Sequence, residues 1–237
     1  MNVDPAIIER YREDGVVCLR NVFDESWLSP LREGVRKSLR SPSLNARHYN
    51  QERGVGLYVT DSGAWRDIPE YRDFVLHSAA ARLAAQMMTS SKVNIFCEDM
   101  FFKDAHTPEP TPWHHDMPYF PVEGDQVCSI WLALDEVPKE NSVEYIAGSH
   151  RWGKQFRPRS FFEPSQNHHE GYFPGPALEP IPDFEEQRER LPLRSWAMSP
   201  GDVQIFHRRD NSSKNHLFVI CVHFIQSGCC ISAQGVN

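Results

Sequence analysis

The sequence predicts an α+β protein in which helices stand in front of a mainly β core, folded as one domain over residues 1–237. Apolar residues recur at helical spacing through the first third of the chain. After residue 91 the texture changes to short β-rich runs divided by Pro, Gly, Asp and Asn. That alternation of strand and turn chemistry is the signature of an antiparallel sandwich or barrel. A chain of 237 residues without internal repeats can bury one sizeable core without disulfide or metal staples.

Element by element, Asp4 is a helix N-cap with Pro5 at the first helical position, and Ile7, Ile8 and Tyr11 fall on one face. Gly15 stops this helix, and "VVCL" follows as a short buried strand. Asp24 opens "ESWLSPLREGVRKSLR", where Trp27, Leu28, Leu31, Val35 and Leu39 form an apolar stripe. The polar stretch through residue 60 reads as loop. "EYRDFVLHSAAARLAAQMM" reads as one further helix, apolar at Phe74, Leu76, Leu83 and Met87. The strands expected next are "KVNIFCEDMFFK", "DQVCSIWLAL", "SVEYIAG" and "DVQIF". Between residues 157 and 192 lies a Pro-rich excursion with one charged helix, "PDFEEQRER", whose charges form a solvated face.

Composition narrows the function. A formal net charge of −7 does not fit a nucleic-acid footprint. "MNVDPAIIERYRED" is too charged for a signal peptide, and no apolar run approaches membrane-spanning length. The six cysteines, at 18, 97, 128, 221, 229 and 230, include no C-x-x-C and read as reduced, mostly buried thiols. The expectation is a cytoplasmic protein.

Chemistry concentrates in "TPWHHDMPYF", residues 111–120. In a strand, residues i and i+2 point to the same side, so His114 and Asp116 converge while His115 faces away. An imidazole and a carboxylate on one side suit a borderline metal such as Fe(II). Trp113 and Tyr119 are expected to wall the site. The bland alternative is a hydrogen-bonded pair supporting the turn before Pro118. A second pair, His168 and His169 with Glu170, sits in the polar excursion with no strand ahead of it and reads as surface loop.

The surrounding sequence weighs the first pair further. Trp113-His114-His115-Asp116 is followed by Trp131-Leu132-Ala133-Leu134, Asn141 and Gly148-Ser149-His150. "YREDGVVCLRNVFD" precedes this block and "SPGDVQIFH" follows it. With these pieces most of residues 5–207 resembles the phytanoyl-CoA dioxygenase family. The resemblance implies a double-stranded β-helix (jelly-roll, cupin-like) with the N-terminal helices packed on one sheet. It implies Fe(II) in a two-His-one-carboxylate triad, 2-oxoglutarate as co-substrate, and O2-dependent hydroxylation of a small organic substrate. His114 and Asp116 match the first two ligands. Lys103 matches a basic position that contacts 2-oxoglutarate, and an exposed lysine at a strand end is the equal alternative.

From about residue 208 the chain departs from that pattern. The third ligand should be a histidine five residues beyond His207, where Ser212 stands. A carboxylate-binding arginine should follow, because its planar fork binds carboxylate bidentately. After Arg209 there is no arginine, and Lys214 is the one cation. Of His207, His216 and His223, the expected third ligand is His207, since Val203, Ile205 and His207 alternate onto one face of a strand. Two function classes follow: an Fe(II)/2-oxoglutarate dioxygenase, or an impaired member serving as a metal- or ligand-binding protein. A cupin-like hydrolase or isomerase without a keto acid fits the resemblance less well. The missing histidine and arginine separate the first two. Residues 154–192 carry no recognisable substrate motif.

Overall fold

Capping residues set the helices where the sequence places them. The Asp4 carboxylate accepts the Ala6 N–H at 2.8 Å, Pro5 begins α1 (Pro5–Asp14), and Gly15 ends it at φ 82°. Asp24 accepts the Ser26 N–H at 3.0 Å and opens α2 (Glu25–Arg40), which buries Leu28, Leu31 and Val35. Gly34 in α2 lets the Tyr71 ring close in, where an added Cβ would stand 2.6 Å from a ring carbon. The long helix expected after residue 69 is two, α3 (Pro69–His77) and α4 (Ala80–Met87). Between them Ser78 is extended, and its hydroxyl accepts the Ala80 N–H at 3.2 Å. The break turns Phe74 and Val75 of one helix and Leu83, Ala84 and Met87 of the other into the same core.

The computed structural model describes residues 2–49, 56–104, 111–120, 122, 124–158, 178–210, 212–214 and 218–226. In chain order its strands are β1 (Val16–Leu19), β2 (Arg47–His48), β3 (Tyr58–Ser62), β4 (Val93–Lys103), β5 (Thr111–His114), β6 (Val127–Ala133), β7 (Glu144–Ile146), β8 (Leu193–Arg194), β9 (Val203–His207), β10 (Ser212–Lys214) and β11 (Phe218–Gln226). Two of them correct the loop expected through residue 60: β3 pairs with β4 over five positions, and β2 pairs with β3. The charged helix expected at "PDFEEQRER" is only a 3-10 turn, Arg188–Arg190. There the Asp183 carboxylate accepts the Glu185 and Glu186 N–H groups and competes with a longer helix.

One sheet has seven strands in the order β1-β9-β6-β11-β4-β3-β2, and the other has four, β5-β10-β7-β8. From β4 onward the chain passes back and forth between the sheets, and every pairing of named strands is antiparallel. This is the expected jelly roll. Its core follows from period-2 alternation. Ile130, Leu132, Val203, Ile205, Ile220, Val222 and Phe224 face the helices and pack with Leu28, Leu31, Phe74 and Leu83. Trp131, Phe206 and Cys221 face inward and pack with Tyr145 of the small sheet. A bulge interrupts the alternation in β4. His223 and Phe224 pair with Cys97 and Ile95, which skips Phe96 and turns it toward Met117, Val127 and Phe120. Both strands built after residue 208 lie inside their sheets, β10 between β5 and β7 and β11 between β6 and β4. No helix among the described residues is long and apolar enough to cross a membrane.

Candidate metal centre

His114 is the last residue of β5, and Asp116 caps the 3-10 turn Met117–Tyr119. Their convergence therefore comes from the chain turning at the strand end, with Asp116 at φ −72° and ψ −31°. His114 Nε2 stands 3.6 Å from Asp116 Oδ1, and the His114 ring is buried. The His114 Nδ1–H donates to the Pro112 carbonyl at 2.8 Å, which makes Nε2, on the Asp116 side, the nitrogen able to ligate a metal. His115 is turned elsewhere. Its Nε2 accepts the Phe156 N–H at 2.9 Å, and burial pushes its pKa down. Trp113 also belongs to that other side, donating to Glu185 at 2.7 Å and meeting the Phe184 ring edge-on. Of the two expected walls only Tyr119 meets the His114 ring, edge-on with centroids 6.0 Å apart.

Ser212 is the cross-strand partner of His114. Residues directly opposite on antiparallel strands project to the same face, so Ser212 occupies the place from which a third ligand would reach the pair. His207 does not fill it. On β9 it follows Val203 and Ile205 onto the helix-facing side. Its Nε2 donates to the Asp125 carbonyl at 2.5 Å and its Nδ1 accepts the Arg209 N–H at 3.1 Å, so neither nitrogen is left for a metal. Burial, reinforced by His150 and Arg209, lowers its pKa to about 4. Among the described residues no third His, Cys, Asp or Glu brings a ligand atom within 4.8 Å of both His114 and Asp116. His168, His169, Glu170 and His216 lie outside the described residues. Lys103 ends β4 with its Nζ 5.4 Å over the Tyr58 ring.

Deeper in the barrel, β4, β6 and β11 assemble a polar chain. His223 Nδ1 meets the Ser129 hydroxyl at 2.6 Å, and its Nε2 meets Asp99 at 2.8 Å. The Ser62 hydroxyl donates to the other Asp99 oxygen. Burial favours protonation of Asp99, but the His223 and Ser62 hydrogen bonds outweigh it and hold its pKa below the usual range. Burial and the nearby Arg208 charge depress His223, so the pair is a neutral imidazole beside a carboxylate. Cys97, Asp99 and His223 present ligand atoms within 4.8 Å of one another. Both His223 nitrogens are already engaged, however, and a guanidinium next door opposes a second cation.

That guanidinium is Arg208, which is 0% exposed. It lies 3.6 Å from the centre of the Phe120 ring and 5.6 Å from that of Phe96, with Nε 3.8 Å from Asp116 Oδ2. Nε, Nη1 and Nη2 all lack a hydrogen-bond partner. The signal for it was in β9: if Val203 and Ile205 face the helices, then Gln204, Phe206 and Arg208 face the barrel.

The model of the phytanoyl-CoA dioxygenase family matches residues 11–210. No curated protein matches the sequence. Among solved structures the chain resembles SnoK, a non-heme alpha-ketoglutarate-dependent carbocyclase from nogalamycin biosynthesis, at TM-score 0.75 and 19% identity over 100% of this chain and 88% of that one. It resembles the epimerase SnoN, solved with Fe3+, alpha-ketoglutarate and nogalamycin RO, at TM-score 0.71 and 21% identity over 98% and 89%. It also resembles EctD from S. alaskensis, solved with 2-oxoglutarate and 5-hydroxyectoine, at TM-score 0.75 and 15% identity over 99% and 80%. At these identities the likeness is one of fold.

Proposed function

The chain belongs to the phytanoyl-CoA dioxygenase family, and on that premise we propose that it is an Fe(II)- and 2-oxoglutarate-dependent dioxygenase acting on a small organic molecule. The observation that carries this is the pair formed by His114 Nε2 and Asp116 Oδ1, 3.6 Å apart with the imidazole tautomer already set. A nitrogen and an oxygen donor at that spacing fit one Fe(II) ion. When bound, iron supplies activation of O2 and oxidative decarboxylation of the keto acid to succinate. The protein's own residues do the rest. His114 and Asp116 hold the metal, and the Pro112 carbonyl keeps the His114 ring in place. Tyr119 covers one side of the imidazole and limits access of water. Lys103, on the same side of β4 as Asp99 and Phe101, is assigned to the co-substrate as a point charge; Lys103→Met should weaken 2-oxoglutarate and leave the metal unaffected. The neighbours act on small molecules, and we extend that class to this chain as a single cytoplasmic domain that does not bind nucleic acid.

Succinate production with Fe(II), ascorbate and excess 2-oxoglutarate tests the proposal, and its absence from fully iron-loaded protein would refute it. Ser212 opposite His114 favours one second reading. A site with two strong protein ligands holds iron less firmly, and an impaired member would bind metal or ligand without turnover. Iron retained without succinate selects that reading.

A further inference from the structure

We propose that Arg208 is the cation that grips the distal carboxylate of the co-substrate, delivered from the end of β9 in place of an arginine further along the chain. This rests on the reading above that the co-substrate is 2-oxoglutarate. A fully buried guanidinium with no hydrogen bond on any nitrogen is strongly destabilising unless an anion enters beside it. Neither neighbouring carboxylate fills that role. Asp99 is committed to His223 and Ser62. Asp116 approaches only Nε, at 3.8 Å, beyond hydrogen-bonding distance.

The two nearby rings explain why the group is held there. The Phe120 ring centre lies 3.6 Å from the guanidinium carbon, a cation–π contact that uses none of the N–H groups through which a guanidinium binds a carboxylate bidentately. Phe96 is close only because the β4 bulge turns it inward. The backbone ties this group to the metal ligands, since the Arg208 carbonyl accepts the Met117 N–H at 3.1 Å, one residue beyond Asp116. With Nε 3.8 Å from Asp116 Oδ2, the guanidinium lies beside the residues that would hold the metal, where a co-substrate bound to that metal would meet it.

The test compares 2-oxoglutarate with 2-oxovalerate, the same chain without the distal carboxylate, by calorimetry on protein loaded with redox-silent Mn(II). Wild-type protein should prefer 2-oxoglutarate by about tenfold to hundredfold, the range for a charge-assisted hydrogen bond. Arg208→Met should lose most of the preference for 2-oxoglutarate over 2-oxovalerate and leave Mn(II) affinity and 2-oxovalerate affinity unchanged. Arg208→Lys keeps the charge, loses the fork and should fall between; it carries the comparison if the methionine variant does not fold. Equal affinity for both acids in wild-type protein, full discrimination in either variant, or loss of Mn(II) together with both acids would overturn the assignment. Succinate formation remains a separate question. Protein that binds 2-oxoglutarate through Arg208 without forming succinate would leave this inference standing and defeat the proposed activity.

Discussion

Glu98 gives the most quantitative handle on this fold. It lies on β4, 0% exposed; its Oε2 accepts the Trp65 N–H at 3.1 Å and its Oε1 has no partner. Burial raises its pKa from 4.5 to about 9. In the unfolded chain the same group ionises near its ordinary value, so between pH 4.5 and about 9 the folded state retains a proton that the unfolded state gives up. Stability is therefore undiminished below the lower value and falls as pH rises across that window. From the ordinary value to pH 7 is about 2.5 pH units at about 1.4 kcal/mol each, or about 3 kcal/mol. Glu98→Gln removes the ionisation and retains an acceptor for Trp65. It should stabilise the protein by about 3 kcal/mol at pH 7 and by less than about 1 kcal/mol at pH 5. Urea denaturation of both proteins at the two pH values measures the difference. An equal gain at both, or a loss at pH 7, would show that Glu98 is not held protonated.

Other substitutions probe the site. His114→Ala and Asp116→Ala should each abolish Mn(II) binding in anaerobic calorimetry, while His115→Ala and His168→Ala leave it unchanged; equal losses at all four would dissolve the proposed pair. Ser212→His places an imidazole opposite His114 and should tighten Mn(II) by roughly tenfold or more, and unchanged affinity would mean that β10 does not face the metal. His207→Ala should not weaken metal binding. By removing its hydrogen bonds to the Asp125 carbonyl and the Arg209 N–H it should instead cost about 1 kcal/mol in urea denaturation.

β4, β6, β7 and β9 were legible because each is a β-rich run ended by turn residues, and α1 and α2 because their caps are explicit; the two- and three-residue strands β8 and β10 are too short to carry a periodic signal. β3 was not, since "YVTDS" follows a polar stretch and its pairing with β4 is a long-range contact that local pattern does not encode. The split between α3 and α4 was hidden because Ser78 interrupts an otherwise helical composition. At the site, the H-x-D spacing correctly singled out His114 and Asp116 as neighbours, although the strand geometry invoked for them ends at His114. Periodicity in β9 was visible, but it cannot say which of the two faces is the barrel. That ambiguity makes His207 the legible candidate and hides Arg208, one residue along. Only the sheet with its helices in place breaks the tie.

The position of the last two strands has a consequence for how the chain reaches this state. β11 fills the gap between β6 and β4, and β10 fills the gap between β5 and β7. Until both have left the ribosome, four strands synthesised earlier present bare edges to the solvent. The sheets therefore close late, through contacts of long sequence separation, which is slow and exposes the nascent chain to edge-to-edge association. A chain halted before residue 218 would lack the central strand of its larger sheet and would be a client for chaperones rather than a smaller version of the protein.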